Sequence, residues 1–364
     1  KQESAADFFK QWRKEADRFA TWVGELYLER HEGTLTTEAH NKWYNRKMEL
    51  GLRGLEWRAV IAGMTAGTEY PQDRLTEIWH EVLLYQFHDV LPGSSIKRVY
   101  DESVARYATM YDEVGALSTE RETVVAEMVD TSGLMSPAVV HNDLSWARSE
   151  WVRVGESWVC AEVPPMGYAT VDGGGPTPEV AALTANSVRL ENDCLSVSFG
   201  EDGSIASVFD KRLERELIPE GESANRLTVF VDPGDAWDFP MDYAEQTPCT
   251  MALVSSEAHI DGPLAILQQT YRLGASELVQ EIVLASGSSR LDFVTKLHWR
   301  ERASMLRTQF PVAVHAEEAT YEIQFGHLRR PTHRNTTWDL ARDEVVAHKW
   351  ADLSQRDFGV ALLN

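Results

Sequence analysis

Nowhere in the 364 residues is there a run of about 18 apolar side chains, so no segment reads as a membrane-spanning helix. Cysteine is scarce. Cys160, Cys194 and Cys249 are widely separated and odd in number, with no Cys-x-x-Cys pair. That spacing indicates neither a disulfide framework nor a thiolate zinc site, and a reducing compartment, the cytoplasm, is the simplest fit. The N-terminus, Lys1-Gln2-Glu3-Ser4, carries no initiator methionine and no charged-then-apolar export signal. Low-complexity sequence is limited to Gly173-Gly174-Gly175, and no fixed repeat period is visible. Positive charge is the last shortage: 35 Lys and Arg face 57 Asp and Glu, a formal net charge of −22. A polyanion repels phosphate backbones and anionic lipid, so neither nucleic acid nor membrane is an expected partner. A neutral glycan meets no such penalty.

What is present is enough for substantial cores. Hydrophobic residues make up 43% of the chain, and a length of 364 suggests two or three domains. Twelve tryptophans are many for this length. Aromatic faces stack on the C–H faces of sugars, but most of these rings are expected in the core.

The first third has helical periodicity. Phe8, Trp12, Ala16 and Phe19 recur as one face of a short helix would. Residues 22–29 (Trp-Val-Gly-Glu-Leu-Tyr-Leu-Glu) alternate like a strand running into the loop 30–34. Thr36 or Thr37 can cap a helix to about Thr65, with Tyr44, Met48, Leu52, Leu55 and Val60 as its apolar stripe. Pro71 suits the first turn of a helix through Leu75, Ile78, Val82 and Tyr85. A long third helix carries Val99, Tyr107, Met110, Val114, Leu117 and Val124. Short connections make an antiparallel bundle the natural packing.

Near residue 130 the pattern changes. Short apolar runs such as 137–141, 195–199, 207–210, 265–271 and 290–294 alternate with Gly, Pro, Asn and Asp, as antiparallel sheets do. Glu201-Asp202-Gly203 is a hairpin-turn signal. One large sandwich, or a small sheet domain followed by a larger one, would accommodate these strands. The apolar strand pattern at 359–364 stops without a turn or partner; with the missing methionine, it reads as a fragment cut at both ends. The expected fold class is α+β multidomain, a three-helix bundle followed by antiparallel β-sandwich domain or domains. The expected divisions are 1–34, 35–132 and 133–364.

One connection stands apart. Gln86-Phe87-His88-Asp89-Val90-Leu91-Pro92-Gly93-Ser94-Ser95-Ile96 joins two helical segments, yet sets a histidine beside an aspartate where a plain loop needs neither. Pro92-Gly93 stops one helix, and Ser94 or Ser95 can cap the next. A pair fixed at a helix end could hold a metal or a sugar.

This segment closely resembles the QFHD-(I/V)-LPGSSI signature of the family 38 glycoside hydrolases, the class II α-mannosidases. The likeness extends along most of the chain. Residues 25–34 resemble the family's ELYLE-x-H-x-GT segment, where its catalytic α/β domain ends. Asn41, Lys42, Asn45 and Arg46 match its helical middle domain. Asn142-Asp143-Leu144-Ser145-Trp146 is similar to an N-P-L-S-W element, with Asp143 in place of proline. Asn225-Arg226-Leu227, Asp235-Ala236-Trp237-Asp238 and residues 330–339 resemble parts of its C-terminal sandwich.

The resemblance implies retaining hydrolysis of terminal α-linked mannose in glycans, with zinc as cofactor. It makes His88 a zinc ligand and Asp89 a sugar contact. Of the four family zinc ligands only His88 maps onto this sequence. The nucleophile and acid belong to a domain with no counterpart here, so residues 1–34 read as that domain's remnant and no catalytic residue is expected in this chain. Zinc needs three or four ligands, so the chain alone is expected neither to hold zinc tightly nor to catalyse. The family's members often form multimers, which leaves a homo-oligomer open. The rival from another class is a non-catalytic carbohydrate-binding or scaffolding module.

Other candidates weigh less. His31 is a candidate substrate-binding residue at the active-site rim, with a structural hydrogen bond as its alternative. His80 and His88 cannot share a metal, since eight helical residues separate them by about 12 Å. His141-Asn142-Asp143 mimics a metal pair but sits at a strand end and reads as structural. Asp235, Trp237, Asp238 and Asp242 form an acidic-aromatic cluster, more readily a solvated loop than a rim over a sugar. Asn335-Thr336-Thr337 is formally a glycosylation sequon and is read as carrying no function.

Overall fold

The structure is a computed structural model that describes all residues except 1, 28, 29, 177, 178 and 343. The short helix α1 (Ala5–Trp12) is followed by a 3-10 stretch, Arg13–Arg18. Phe8, Trp12 and Phe19 do meet, with ring centroids 5.9 and 5.5 Å apart, yet none of them is buried.

The bundle consists of α2 (Ala39–Ala66), α3 (Gln72–Tyr85) and α4 (Lys97–Glu127). Its core is Met48, Leu52 and Leu55 of α2, Leu75, Ile78 and Val82 of α3, and Tyr107, Met110 and Val114 of α4. The stripe on α2 continues through Ala59 and Ala62, not Val60, which is 48% exposed. Spacings of three and four residues from Leu55 lead to the alanines, whereas Val60 lies a further 100° around the helix. Bidentate ion pairs close the flank of the bundle, Arg74 to Glu113 and Arg106 to Glu81.

Two expected caps are absent. Thr37 donates its hydroxyl to the Gly33 carbonyl instead, and α2 starts after Glu38 at φ 55 with no side-chain cap. No side chain caps α4 either, because Ser94 and Ser95 bond back to Asp89. Pro71 lies immediately before α3 rather than within its first turn.

A small β unit follows, with β1 (Pro137–Asn142) paired to β4 (Gly167–Asp172) and β2 (Arg148–Val154) paired to β3 (Ser157–Val163). It closes over Ala161, Val163 and Val171. Next come β5 (Thr184–Asn186), β6 (Arg189–Glu191), β7 (Leu195–Phe199), β8 (Ile205–Asp210) and β9 (Arg215–Glu216), a five-stranded antiparallel sheet in chain order. The signalled hairpin joins β7 to β8.

After β10 (Arg226–Val231) and β11 (Cys249–Thr250), a meander of β12 (Ala252–Asp261), β13 (Leu264–Leu273), β14 (Ser276–Ala285) and β15 (Leu291–His298) forms the second layer. Every second residue of β14 is buried, as the two-residue period of a strand with one core face requires. Leu190, Val197 and Ile205 of one layer pack on Ala265, Leu267 and Ile282 of the other, so this is a sandwich. The strand β16 (Ser304–Gln309) pairs with β10, which pairs with β11; with the meander's Tyr271 and Leu278 they enclose a further core around Leu227 and Val229. Of the two arrangements the strand pattern allowed, the small unit followed by a larger one is present.

The last sheet, in the order β18-β17-β19-β20, comprises β17 (Glu318–Ile323), β18 (Gly326–Pro331), β19 (Trp350–Ser354) and β20 (Gly359–Leu363). The terminal apolar strand is therefore not partnerless, since β20 pairs with β19 along its length. A short helix, α5 (Thr337–Leu340), lies between β18 and β19 and is closed by a capping box of Thr336 and Asp339.

Residues 22–27 form no strand; Leu28 and Glu29 lie outside the described residues. The reason is tertiary. This segment docks by side chains on the last sheet, where Arg330 grips Glu25 with two nitrogens at 2.8 and 2.9 Å. Trp22 meets Trp338 at 5.1 Å, and the Tyr27 hydroxyl donates to the Glu344 carbonyl.

Candidate functional site

Because α2 and α4 run away from the 86–96 connection and α3 runs toward it, three helix ends meet around His88. The side-chain amide of Gln86 donates to Asn45 (3.0 Å) and Glu49 (2.9 Å) on α2, which fixes the start of the turn. Asp89 organises its middle: the Ser94 hydroxyl donates to its Oδ1 at 3.1 Å, and the Ser95 and Tyr100 hydroxyls donate to its carbonyl at 2.7 and 3.0 Å. The other carboxylate oxygen, Oδ2, lies 3.8 Å from His88 Nε2. The His88 side chain is 79% exposed and its ring lies 4.1 Å from that of Phe87. The pair is thus held from behind and open in front.

Three segments close behind it. Thr37 of the 33–37 turn lies against Gly93, whose φ is +98°, and a Cβ there would sit 2.7 Å from Thr37 Cγ2. Lys42 Nζ donates to the carbonyls of Leu91 (2.8 Å), Pro92 (3.2 Å) and Thr37. Burial of this ammonium pulls its pKa down to about 8, against an opposing pull from Glu38. On the other side, a Cβ on the buried Gly33 would come within 3.0 Å of the Trp237 carbonyl.

His31 joins this seam from the far side. Its backbone N–H donates to Asp238 Oδ1 at 2.5 Å, its ring lies 4.7 Å from Trp237, and Arg30 pairs with Asp238 at 3.5 Å. The structural hydrogen bond considered for His31 is therefore present through its backbone, while the imidazole stays exposed. Burial, with Asp238 and Glu344 nearby, raises the Glu32 carboxyl. The loop reading of the acidic cluster holds for Asp235 and Asp242, which are exposed. It fails for Trp237 and Asp238, which pack on the 31–33 turn because Gly33 leaves room for them. Among the described residues no hydrogen bond or ring contact joins His31 to His88 or Asp89.

His80 is exposed on α3. His141 is wedged between Trp57 and Tyr168, 6.2 and 6.1 Å away, with neither ring nitrogen hydrogen-bonded. Burial pulls its pKa below the ordinary histidine value. Asp143 is turned to Arg58, 3.6 Å away, so the two do not chelate. The described residues contain no group of three or more His, Cys, Asp or Glu side chains able to hold a metal ion. One imidazole beside one carboxylate is not a zinc site, since zinc takes about four ligands. These residues alone do not fit the metal.

Two family models match the chain: the alpha mannosidase middle domain over residues 29–123, and the glycosyl hydrolases family 38 C-terminal domain over 190–364. The chain belongs to glycoside hydrolase family 38. It is 37% identical to human alpha-mannosidase 2C1 over 99% of its own length and 36% of that protein's. It is 30% identical to alpha-mannosidase G of Dictyostelium discoideum, over 99% of its own length and 39% of that protein's. The chain thus spans somewhat over a third of the length of these relatives. In fold it is similar to a crystal structure titled as an alpha-mannosidase from Enterococcus faecalis V583, with a TM-score of 0.80 at 16% identity, covering 99% of this chain and 53% of the other.

Within this family 38 chain, the residues matched on α2 have separate tasks. Asn41 accepts from Ser103 of α4 at 2.9 Å, Lys42 holds the 91–92 carbonyls, Asn45 holds Gln86, and Arg46 donates to the His348 carbonyl at 2.7 Å. The task of Lys42 had one local signal. A cation near the start of a helix opposes the helix dipole, and α2 has no acid in its first turn to compensate. Trp237 and Asp238 carried a weaker one, since only tertiary folding puts them beside Gly33.

Proposed function

We propose that this chain is the middle and C-terminal part of a zinc-dependent, retaining α-mannosidase that removes terminal α-linked mannose from glycans. The observation that carries the reading is the 86–96 connection. It presents His88 and Asp89 to the outside while Gln86, Asp89 itself and Lys42 lock the backbone behind them. The identity to named alpha-mannosidases supports it.

In this reading His88 supplies one zinc ligand, and Asp89 and His31 contact the sugar. The remaining ligands, the nucleophile and the acid come from outside these 364 residues. Retaining chemistry uses two carboxyl groups about 5–5.5 Å apart, one as nucleophile and one as acid then base. Residues 1–34 belong with the catalytic domain, 35–132 form the middle domain, and 133–364 form the sandwich region. The enzyme works in the cytoplasm, which the three unpaired thiols support.

The test is hydrolysis of an aryl α-mannoside, with zinc content measured in parallel, by the protein as encoded in full. Turnover and bound zinc are expected, and His88→Ala should lower both. The 364-residue chain alone should show neither. Binding of mannosides with no turnover by the full protein would shift the assignment to a carbohydrate-binding module.

A further inference from the structure

We propose that Lys42 is a positioning residue for the His88–Asp89 turn, its ammonium tying the 91–92 carbonyls to the start of α2. The stoichiometry points to this. An ammonium has three N–H donors and no acceptor, and Lys42 meets three carbonyl oxygens: Thr37, Leu91 and Pro92. Among the described residues no ion pair to a carboxylate competes for it. A half-buried lysine without an ion-pair partner has a desolvation cost to offset, and these carbonyls are what offset it.

The carbonyls need Lys42 as much as it needs them. Leu91 and Pro92 lie in a turn, where no helix ladder serves their oxygens. Proline offers no N–H, and Gly93 turns the chain away at φ +98° against Thr37. The turn is therefore gripped twice by one helix, at Gln86 through Asn45 and Glu49 and at 91–92 through Lys42. His88 and Asp89 lie between the two grips, which fixes where their backbone can go. The structural claim stands on this geometry; its catalytic consequence rests on the function proposed above.

Amide hydrogen exchange of the 364-residue chain decides it. Lys42→Met keeps the aliphatic stem and removes every donor. Exchange across 86–96 and 33–38 should rise about tenfold or more, while the bundle core (103–117) and the sandwich strands (264–285) keep their protection. The Hε1–Cε1 resonance of His88 should shift, and that of His259 on β12 should not. If Lys42→Met does not fold, Lys42→Arg makes the same comparison, because a guanidinium spreads its donors in a plane over three nitrogens and cannot place three of them around one atom, as the ammonium does against these carbonyls. Unchanged exchange at 86–96, or a rise spread evenly over the bundle, would overturn the proposal. In the full protein, Lys42→Met should lower kcat through the misplaced His88 and raise KM through the misplaced Asp89. If the full protein hydrolyses no mannoside, the functional reading fails while the exchange pattern still decides the role of Lys42.

Discussion

At Gly93 backbone conformation and close packing coincide, so a single methyl group tests both. Its φ of +98° is poorly tolerated by residues with a Cβ, and the added carbon would press on the Thr37 side chain at 2.7 Å and its carbonyl at 2.8 Å. Gly93→Ala should cost at least about 2 kcal/mol, from backbone strain plus the displaced contact. Urea unfolding followed by circular dichroism measures this, and a loss under about 0.5 kcal/mol would mean that the turn relaxes freely. The resemblance of 86–96 to a known signature singled out this region in the sequence. The destination of each side chain was not legible, because Ser94 and Ser95 look alike as helix caps and as partners of Asp89. Asp89 wins because its carbonyl and carboxylate accept three hydroxyls at once.

Among the elements, the segment 22–27 depends most on a distant partner. Arg330 is 3% exposed and bonds both Glu25 oxygens and the Val346 carbonyl, and its guanidinium lies 5.0 Å from the Tyr321 ring centre. The Arg330 hydrogen bond holds the Glu25 carboxyl below its ordinary value, against the burial that raises it. A depressed carboxylate stabilises the fold above the unfolded value of 4.5 and loses that contribution as pH falls through its lower folded value. Glu25→Gln should therefore weaken docking at neutral pH by about 2–3 kcal/mol and remove this part of the acid sensitivity. The loss is capped by the free energy of undocking, after which Arg330 reaches water. Limited proteolysis of 19–31 at pH 7 and pH 4 reads both effects; equal cleavage of mutant and wild type at pH 7 would refute the first. The three helices and most strands were legible because burial repeats with helical or strand period. The strand expected at 22–29 was misplaced because alternation cannot distinguish a ladder from a segment pinned by side chains.

For the whole molecule, the governing quantity is charge. At −22 the chain should bind no duplex DNA at about 150 mM salt, where a screening length near 8 Å still leaves short-range repulsion from phosphates. Fluorescence anisotropy of a labelled duplex checks this, and saturable binding would contradict it. No helix among the described residues is long and apolar enough to cross a membrane. The sequence by itself determined the α+β order, the bundle stripe and the alternation of the sandwich strands, because burial leaves a period wherever one face of an element meets the core. It also marked His88 and Asp89, because their neighbours form a contiguous signature. Only the tertiary structure decided that Lys42 serves the 91–92 carbonyls, that Gly33 makes room for Trp237, and that Glu25 meets Arg330 across 305 residues. Such contacts join side chains to backbone atoms or to residues far along the chain, and neither kind leaves a period to read.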